Sequence, residues 1–216
     1  MMSQSSDNPL LIYFGGTFNP IHLGHLRLAE DISKQLDTTA LHFLPCHIPA
    51  LKSPPGVSSE VRAHMVLETI ADYPNFKLDD RELNRQTPSY TVDTLRELRN
   101  EFPNHAIGFV IGMDSLNQLH RWHRYQELLD YCHLIICERP GYTLAPVPEI
   151  QTIIDHGRVS DSKQLQQSLH GKLLFIQTRK SDVSSTQVRQ QLAQAETSQD
   201  LHPKTLTMIQ QMGLYR

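Results

Sequence analysis

The chain has 216 residues, of which 39% are hydrophobic, and a formal net charge of −3 at pH 7. A chain of this length can bury the core of one large domain without disulfide bonds. The mild charge and the lack of a lysine- and arginine-rich stretch argue against a nucleic-acid-binding surface, and no apolar run is long enough to cross a membrane.

The cysteines and the N-terminus indicate the compartment. The three cysteines are an odd number without CxxC spacing, so neither a disulfide framework nor a zinc site is indicated. The first nine residues are polar and lack the basic start of a signal peptide. We therefore expect a cytoplasmic protein.

Short apolar runs alternate with segments of helical periodicity. Runs that are apolar throughout are typical of parallel strands buried on both faces of a sheet. They occur at residues 10–14, 41–44, 107–111, 134–137 and 173–176. Helices are predicted at residues 22–36, 59–73, 91–102, 125–129 and 185–195. This alternation predicts an α/β fold, with a doubly wound, Rossmann-like and mostly parallel sheet, helices on both faces, and ligands at the carboxyl ends of the strands.

Three segments interrupt or end this alternation. Residues 45–58 contain four prolines and predict a long loop after the second strand, which could cover a ligand. Residues 141–170 have weak periodicity and predict a peripheral insertion with at most short helices. Residues 203–213 predict a C-terminal helix that ends at a glycine. We expect residues 1–216 to form a single domain with this insertion and a small C-terminal helical part.

The most specific pattern is GGTFNPIHLGH at residues 15–25, directly after the first predicted strand. Glycines let the backbone approach a ligand closely, and a helix that opens near His22 offers free N–H groups and a positive dipole end. This combination suits a nucleotide phosphate. The pattern is neither a Walker loop, because no Gly-Lys-Ser/Thr follows, nor the GxGxxG fingerprint of dinucleotide-binding oxidoreductases.

A second pattern, VSSTQVR at residues 183–189, follows the last predicted strand. Hydroxyl groups at the start of a helix can cap N–H groups or face phosphate oxygens, and Arg189 can supply a charged fork one turn along. Taken alone, such a segment is more often only a helix cap. Its occurrence together with the first pattern favours the phosphate role.

The twelve histidines do not indicate a metal site. They are scattered, and no HExxH or similar ligand spacing occurs. We therefore expect no protein-held metal ion, and surface or packing roles for most of them.

The two patterns resemble the GTFxPxHxGH and ISSTxIR motifs of the nucleotidylyltransferase superfamily, whose members move a nucleotidyl group from a nucleoside triphosphate to a phosphate-bearing acceptor. Three further elements resemble those of bacterial nicotinate-nucleotide adenylyltransferases. They are TPSYTVDTL at residues 87–95, IGMDS at 111–115 and RWH at 121–123. Residues 133–142 and the GLYR ending at 213–216 also fit, so the resemblance covers essentially the whole chain.

The resemblance implies transfer of AMP from ATP to nicotinate mononucleotide, which gives deamido-NAD and pyrophosphate in NAD biosynthesis. The acceptor phosphate is largely a dianion at neutral pH, because its second pKa is about 6, so the reaction needs no general base. Mg²⁺ is expected mainly on the ATP phosphates and water. No nucleic acid, membrane or specific protein partner is implied.

The resemblance also implies roles for individual residues. It gives His22, His25 and Arg189 to catalysis, with His25 the better candidate for the α-phosphate. It gives the remaining ATP contacts to Gly15, Gly16, Thr17, Phe18, Gly24, Lys52, Gly112, Asp114, Arg139, Ser185 and Thr186. It gives the nicotinate nucleotide to Tyr90, Thr91, Trp122 and His123.

For several of these residues the resemblance implies a specific contact. Asp114 is expected to bind a ribose hydroxyl, and Gly112 to allow its close approach. Trp122 is expected against the pyridine ring, with backbone N–H groups around Thr91 and His123 on the nicotinate carboxylate. Each element also has a purely structural alternative: a helix cap at residues 88–91, a core position for Trp122, and a turn at Gly112.

The chain departs from the family pattern at three places. Many relatives carry a His-Lys or His-Arg pair in the proline-rich loop, whereas this chain has Leu51 and Lys52, so only the cation is kept there. His123 stands where tyrosine is common, and Glu138 precedes Arg139 where some relatives have two arginines.

Two other functions remain open. Pantetheine-phosphate adenylyltransferases and cytidylyltransferases share the first motif, but they do not explain residues 88–91 and Trp122. A nucleotide-binding regulator that keeps the fold without turnover is the alternative from a different class.

Overall fold

The computed structural model describes residues 8–38, 40–51, 55–138, 143–179, 181–195 and 197–216. Within these residues, seven strands form one sheet, and every pairing between neighbours is parallel. The strands are β1 (Leu10–Gly16), β2 (Leu41–Pro45), β3 (Phe76–Leu78), β4 (Ala106–Gly112), β5 (His133–Cys137), β6 (Arg158–Val159) and β7 (Leu173–Ile176). Their order is β3-β2-β1-β4-β5-β7-β6.

Helices cover both faces of this sheet. They are α1 (Leu23–Leu36), α2 (Ser59–Ile70), α3 (Thr91–Glu101), α4 (Met113–Asn117), α5 (Leu128–Tyr131), α6 (Pro148–Gly157), α7 (Lys163–Gln166), α8 (Ser185–Ala195) and α9 (Pro203–Met212). One core packs α1, α2, α8 and α9 against the sheet, and a second core packs α3 to α6 against it. The predicted doubly wound α/β fold is therefore confirmed.

The chain reverses its winding direction at β1. This strand pairs with β2 on one side and with β4 on the other, and Phe14 lies opposite Val110. The carboxyl ends of β1 and β4 are consequently adjacent, at Gly16 and Gly112. Ligands of doubly wound sheets bind at such a switch point.

The five predicted strands and the 185–195 helix are confirmed, with strand ends within two residues of the prediction. The helix predicted over residues 59–73 is too long, because α2 ends at Ile70 and a turn leads into β3. The helix predicted over 125–129 is a 3-10 turn at Tyr125–Glu127 followed by α5. The helix predicted at the C-terminus is α9, and Gly213 follows it with a left-handed φ of 62°.

Residues 143–170 are more closely integrated than the predicted peripheral insertion with at most short helices. Helix α6 has ten residues, and its Ile150 and Ile154, one turn apart, are buried in the second core. Strand β6 then extends the sheet at its edge. Polar residues around the two isoleucines hid this apolar face from the periodicity. Among the described residues, no helix has the length and apolar character needed to cross a membrane.

Candidate active site

The last two residues of β1 are glycines that pack directly against aromatic rings. A Cβ atom on Gly15 would lie 2.8 Å from the Phe109 ring, and one on Gly16 would lie 2.8 Å from the Phe18 ring. Phe18 has a positive φ of 46°, and its side chain is buried against Phe14. Of the predicted ATP contacts in the loop after β1, Phe18 can therefore offer only its backbone.

Two stacked histidine rings lie at the start of α1. His22 is the N-cap residue, and its backbone N–H donates to Nδ1 of His25 over 3.2 Å. The ring centroids are 3.7 Å apart with an interplanar angle of 29°. Because Nδ1 of His25 accepts a hydrogen bond, the proton of its neutral ring resides on Nε2. This tautomer makes Nε2 a donor for a phosphate oxygen.

Gly24 leaves the space that the His22 ring occupies. A Cβ atom there would lie 2.9 Å from His22 Nδ1 and 2.9 Å from the Ser181 hydroxyl oxygen. The structure therefore gives Gly24 a packing function next to the histidine pair.

The helix start offers fewer free N–H groups than the sequence predicted. The Leu23 N–H donates to the Asp200 carbonyl over 2.8 Å, and the His25 N–H donates to the His22 carbonyl over 2.9 Å. These groups are satisfied within the fold. The predicted phosphate-binding capacity of the helix start is corrected accordingly, and the side chains of the histidines gain importance.

The two sequence motifs are in direct contact. The Ser185 hydroxyl donates to the Pro20 carbonyl over 3.0 Å, and Arg189 Nη1 donates to the Asn19 carbonyl over 2.7 Å. The Tyr215 hydroxyl donates to Asn19 Oδ1 over 2.7 Å. The start of α8 is thereby bonded to the loop that precedes the histidines.

Arg189 has donors beyond those used in this contact. Its Nη2 donates to the Thr186 hydroxyl over 3.3 Å, and Thr186 itself is exposed. A guanidinium has five N–H donors, so the side chain can hold the loop and still bind an anion. The remaining predicted cations, Lys52 and Arg139, lie outside the described residues.

The predicted acceptor residues meet on the other side of the switch point. The rings of Tyr90 and His123 are 4.3 Å apart between centroids, and Trp122 is half-buried beside the second core. Tyr90 is the N-cap residue of α3, and Thr91 is its first residue. Within the described residues, neither the Thr91 nor the His123 backbone N–H donates a hydrogen bond. Both groups can therefore bind a ligand oxygen.

Asp114 follows the end of β4 in the first turn of α4, which Gly112 caps. Its Oδ1 is buried and has no hydrogen-bond partner among the described residues. Leaving a buried acceptor unsatisfied costs about 1–3 kcal/mol, which a ligand hydroxyl would recover. This oxygen fits the predicted contact with a ribose.

A buried polar network that no sequence motif indicates supports the predicted acceptor residues. Glu82 is buried, which raises the pKa of its carboxyl, and it accepts hydrogen bonds from the hydroxyls of Thr94 and Ser89. Arg85 Nη1 donates to the Thr94 hydroxyl over 2.7 Å. The network fixes Ser89, which precedes Tyr90, and Thr94, which lies one helical turn after it. Its members are ordinary polar residues in the sequence, and no local spacing distinguishes them.

Arg62 was not among the predicted site residues, and its side chain is fully buried in α2. Its guanidinium donates to the carbonyls of Thr17, Cys46 and His47 over 2.5, 2.7 and 2.9 Å. One signal was present, because Arg62 precedes the buried Val66 by one helical turn. A charged residue on the apolar face of a helix indicates a buried polar function.

The described residues contain no group of three or more His, Cys, Asp or Glu side chains arranged to hold a metal ion. The donors that surround the switch point are instead imidazoles, hydroxyls, backbone N–H groups and a guanidinium. They suit phosphate oxygens, which need hydrogen-bond donors.

Known proteins resemble the chain over its full length. A family model described as cytidylyltransferase-like matches residues 13–191. A protein of Yersinia pestis (strain Pestoides F), named "Probable nicotinate-nucleotide adenylyltransferase", is 40% identical over 219 residues and all of both chains. A protein of Pectobacterium atrosepticum with the same name is 42% identical over 96% of this chain and 99% of its own.

A solved structure shares the fold. It is the Plasmodium falciparum nicotinic acid mononucleotide adenylyltransferase complexed with NaAD, which is 22% identical and covers 96% of this chain and 97% of its own with a TM-score of 0.73. The fold, the joined motifs and the full-length identity to curated relatives agree with one another. The chain belongs to the nicotinate-nucleotide adenylyltransferase family.

Proposed function

We propose that the chain transfers AMP from ATP to nicotinate mononucleotide and releases deamido-NAD and pyrophosphate. An oxygen of the acceptor phosphate forms a bond to the α-phosphorus of ATP. The bond from that phosphorus to the oxygen bridging to the β-phosphorus breaks, and pyrophosphate leaves with the electron pair. The observation that carries this proposal is the contact of Ser185 and Arg189 with the Asn19–Pro20 loop, which brings two distant motifs together beside the histidine pair.

The ATP phosphates lie along the carboxyl end of β1 in this proposal. His25 donates from Nε2 to an α-phosphate oxygen, since its Nδ1 is engaged by the His22 N–H. His22 lies in the same stack and supports the ring of His25. The two rings stabilise the charge on the α-phosphate in the transition state, where preorganised donors are most effective.

The departing pyrophosphate lies at the start of α8. Ser185, Thr186 and the remaining N–H donors of Arg189 bind its oxygens. Because Arg189 is held by the Asn19 carbonyl, its fork does not have to be ordered during the reaction.

The acceptor lies between α3 and the segment that contains Trp122. The pyridine ring packs against Trp122, and its carboxylate accepts from the backbone N–H groups of Thr91 and His123. Nicotinamide mononucleotide would turn an amide NH₂ toward these donors and leave them unpaired. Sites built to pair a buried polar group reject the analogue that cannot pair with it. Asp114 Oδ1 accepts from a ribose hydroxyl.

Mg²⁺ enters this proposal with the triphosphate. The donors of the described site lack a carboxylate cluster, which fits an ion held by phosphate oxygens and water. When bound, the ion neutralises negative charge on the phosphates.

Acceptor-dependent release of pyrophosphate tests the proposal. Purified protein is incubated with ATP and Mg²⁺, together with nicotinate mononucleotide, nicotinamide mononucleotide or phosphopantetheine. We expect release with the acid and much slower release with the amide. Comparable use of the amide would refute the carboxylate pocket. Release only with phosphopantetheine would establish the neighbouring activity, and no release with any acceptor would indicate a regulator.

A further inference from the structure

Arg62 contacts three segments near the site: the loop after β1, the residues after β2 and the residues before α2. Its side chain is fully buried and donates to the carbonyls of Thr17, Cys46, His47 and Val57, the last over 3.4 Å. All four acceptors are backbone carbonyls, and among the described residues no carboxylate forms an ion pair with it. Burying an arginine without a carboxylate destabilises the fold, and the four hydrogen bonds to carbonyls offset part of that cost.

The segment that Arg62 holds is bonded in turn to the acceptor side. The His47 N–H donates to the Ser89 hydroxyl over 3.0 Å, and the Ser89 N–H donates to the Ile48 carbonyl over 2.9 Å. Ser89 directly precedes Tyr90, the N-cap residue of α3. A continuous hydrogen-bonded path therefore runs from Thr17, in the loop at residues 17–22 (the ATP loop), through Arg62 and His47. It ends at Ser89, in the segment at residues 87–90 (the acceptor loop).

We propose that Arg62 is a positioning residue that fixes the distance and orientation between the ATP loop and the acceptor loop. It acts through the backbone of residues 46–48 and touches neither substrate. The inference rests on the proposed function, because only a reaction between two bound substrates requires this alignment. Transfer between two bound molecules is sensitive to their relative placement, and a displacement of about 1 Å can cost about 100-fold in rate.

The positioning function predicts a particular kinetic pattern for Arg62→Lys. Lysine keeps the positive charge but is a point donor that cannot hold four carbonyls in a fixed fork. We expect kcat to fall by about 10- to 100-fold, with the KM for ATP changed by less than about threefold. A residue that only attracts phosphates by its charge would show wild-type kinetics in this variant.

Arg99 provides a matched control at the opposite, amino-terminal end of the strands. Within the part of the chain that the structure describes, its guanidinium also donates only to backbone carbonyls, including those of His105, Tyr131 and Leu169 at 2.7 to 2.8 Å. His105 directly precedes β4, and Tyr131 lies two residues before β5. Arg99 therefore lies at the amino-terminal ends of these strands, away from the switch point. Arg99→Lys should lower thermal stability and leave kcat unchanged.

The experiment measures kcat and both KM values by pyrophosphate release, at a temperature where circular dichroism shows each variant folded. A loss of kcat in Arg62→Lys but not in Arg99→Lys supports the inference. Equal kcat in the two variants, or a change confined to the KM for ATP, overturns it. The proposed function fails separately, if the wild-type protein releases no pyrophosphate with nicotinate mononucleotide.

Ser89→Ala tests the far end of the path and serves if Arg62→Lys does not fold. It removes the acceptor of the His47 N–H and a donor to Glu82, while keeping Arg62 and the Ser89 N–H bond to the Ile48 carbonyl. We expect a reduced kcat, and in the double variant a combined loss close to the larger single loss, because both changes break one path. A wild-type kcat in Ser89→Ala, or losses that multiply, overturns the inference.

Discussion

The guanidinium of Arg189 donates a hydrogen bond of 2.7 Å to the backbone carbonyl of Asn19, which lies 170 residues earlier in the chain. Asn19 belongs to the loop between β1 and the histidine pair, and its side chain accepts from the hydroxyl of Tyr215. Both ends of the chain therefore fix the loop that precedes His22. Side chains fixed in this way do not have to be ordered when a ligand binds beside them.

His25 is predicted to act through Nε2. His25→Ala should lower kcat by about 100- to 1,000-fold, corresponding to about 2.7–4 kcal/mol for the loss of one preorganised donor. His25→Asn is the matched variant, because its Oδ1 can replace Nδ1 as the acceptor of the His22 N–H without supplying a donor at Nε2. Kinetic assays and thermal denaturation should show His25→Asn as inactive as His25→Ala but more stable. An active His25→Asn enzyme would contradict the role of Nε2.

Gly24 is predicted to be essential for the position of the His22 ring. An alanine Cβ would approach His22 Nδ1 and the Ser181 oxygen to 2.9 Å, so Gly24→Ala should displace the ring and lower kcat by about tenfold or more. Gly56→Ala is the control, because no atom of the described residues lies within 4 Å of its Cβ position. The control should keep full activity in the same assay. Full activity in Gly24→Ala would show that the ring does not need its observed position.

The acceptor pocket is predicted to use the backbone of His123. His123→Ala should keep the preference for the acid over the amide, because the N–H remains. His123→Pro removes the N–H, and Trp122 has φ −77° and ψ 143°, a backbone that accepts a following proline. The ratio of kcat/KM for the two acceptors should fall by about tenfold in this variant. Loss of the preference in His123→Ala instead would assign the discrimination to the imidazole.

The stability of the protein is predicted to depend on His133 below neutral pH. Burial lowers the pKa of this imidazole from 6.5 to about 4. Its Nδ1 accepts from the Lys172 N–H over 3.1 Å, and its Nε2 donates to the Ser168 carbonyl over 3.1 Å, so the neutral ring is the form that fits. Between pH 6.5 and 4 the unfolded chain binds the additional proton. The free energy of unfolding should therefore be fully supported above pH 6.5 and fall by roughly 3 kcal/mol as the pH drops to 4.

Urea denaturation at a series of pH values checks this dependence. His133→Asn keeps an acceptor near the position of Nδ1 but does not titrate, so its free energy of unfolding should vary less between pH 6.5 and 4. The exposed His120 supplies the control, since His120→Asn should follow the wild-type curve. Parallel curves for wild type and His133→Asn would contradict the prediction.

Much of the fold could be predicted because the central strands are continuous apolar runs. Strands β3 and β6 could not, since three and two residues at the edges of a sheet show no periodicity. The end of α2 at Ile70 was also missed, because the following residues keep a helix-compatible composition.

Candidate site residues could be proposed from the sequence where they lie in contiguous motifs, as with the histidine pair and Ser185. They could not be proposed where the function arises from contacts between distant segments. Arg62 meets Thr17 across 45 residues, and Asp200 occupies the Leu23 N–H at the start of α1. Local spacing can indicate that Arg62 is buried, but it does not identify the partner in either contact, because the fold alone brings these residues together.

The central claim is that this site transfers the α-phosphate of ATP, with its nucleoside, to the acceptor phosphate. The most direct test incubates the protein with nicotinate mononucleotide, Mg²⁺ and ATP labelled on the α-phosphate, or in a parallel reaction on the γ-phosphate. The account predicts that the α-label appears in the dinucleotide and the γ-label in pyrophosphate. A γ-label in the acceptor, or an α-label recovered only as free AMP, would contradict it.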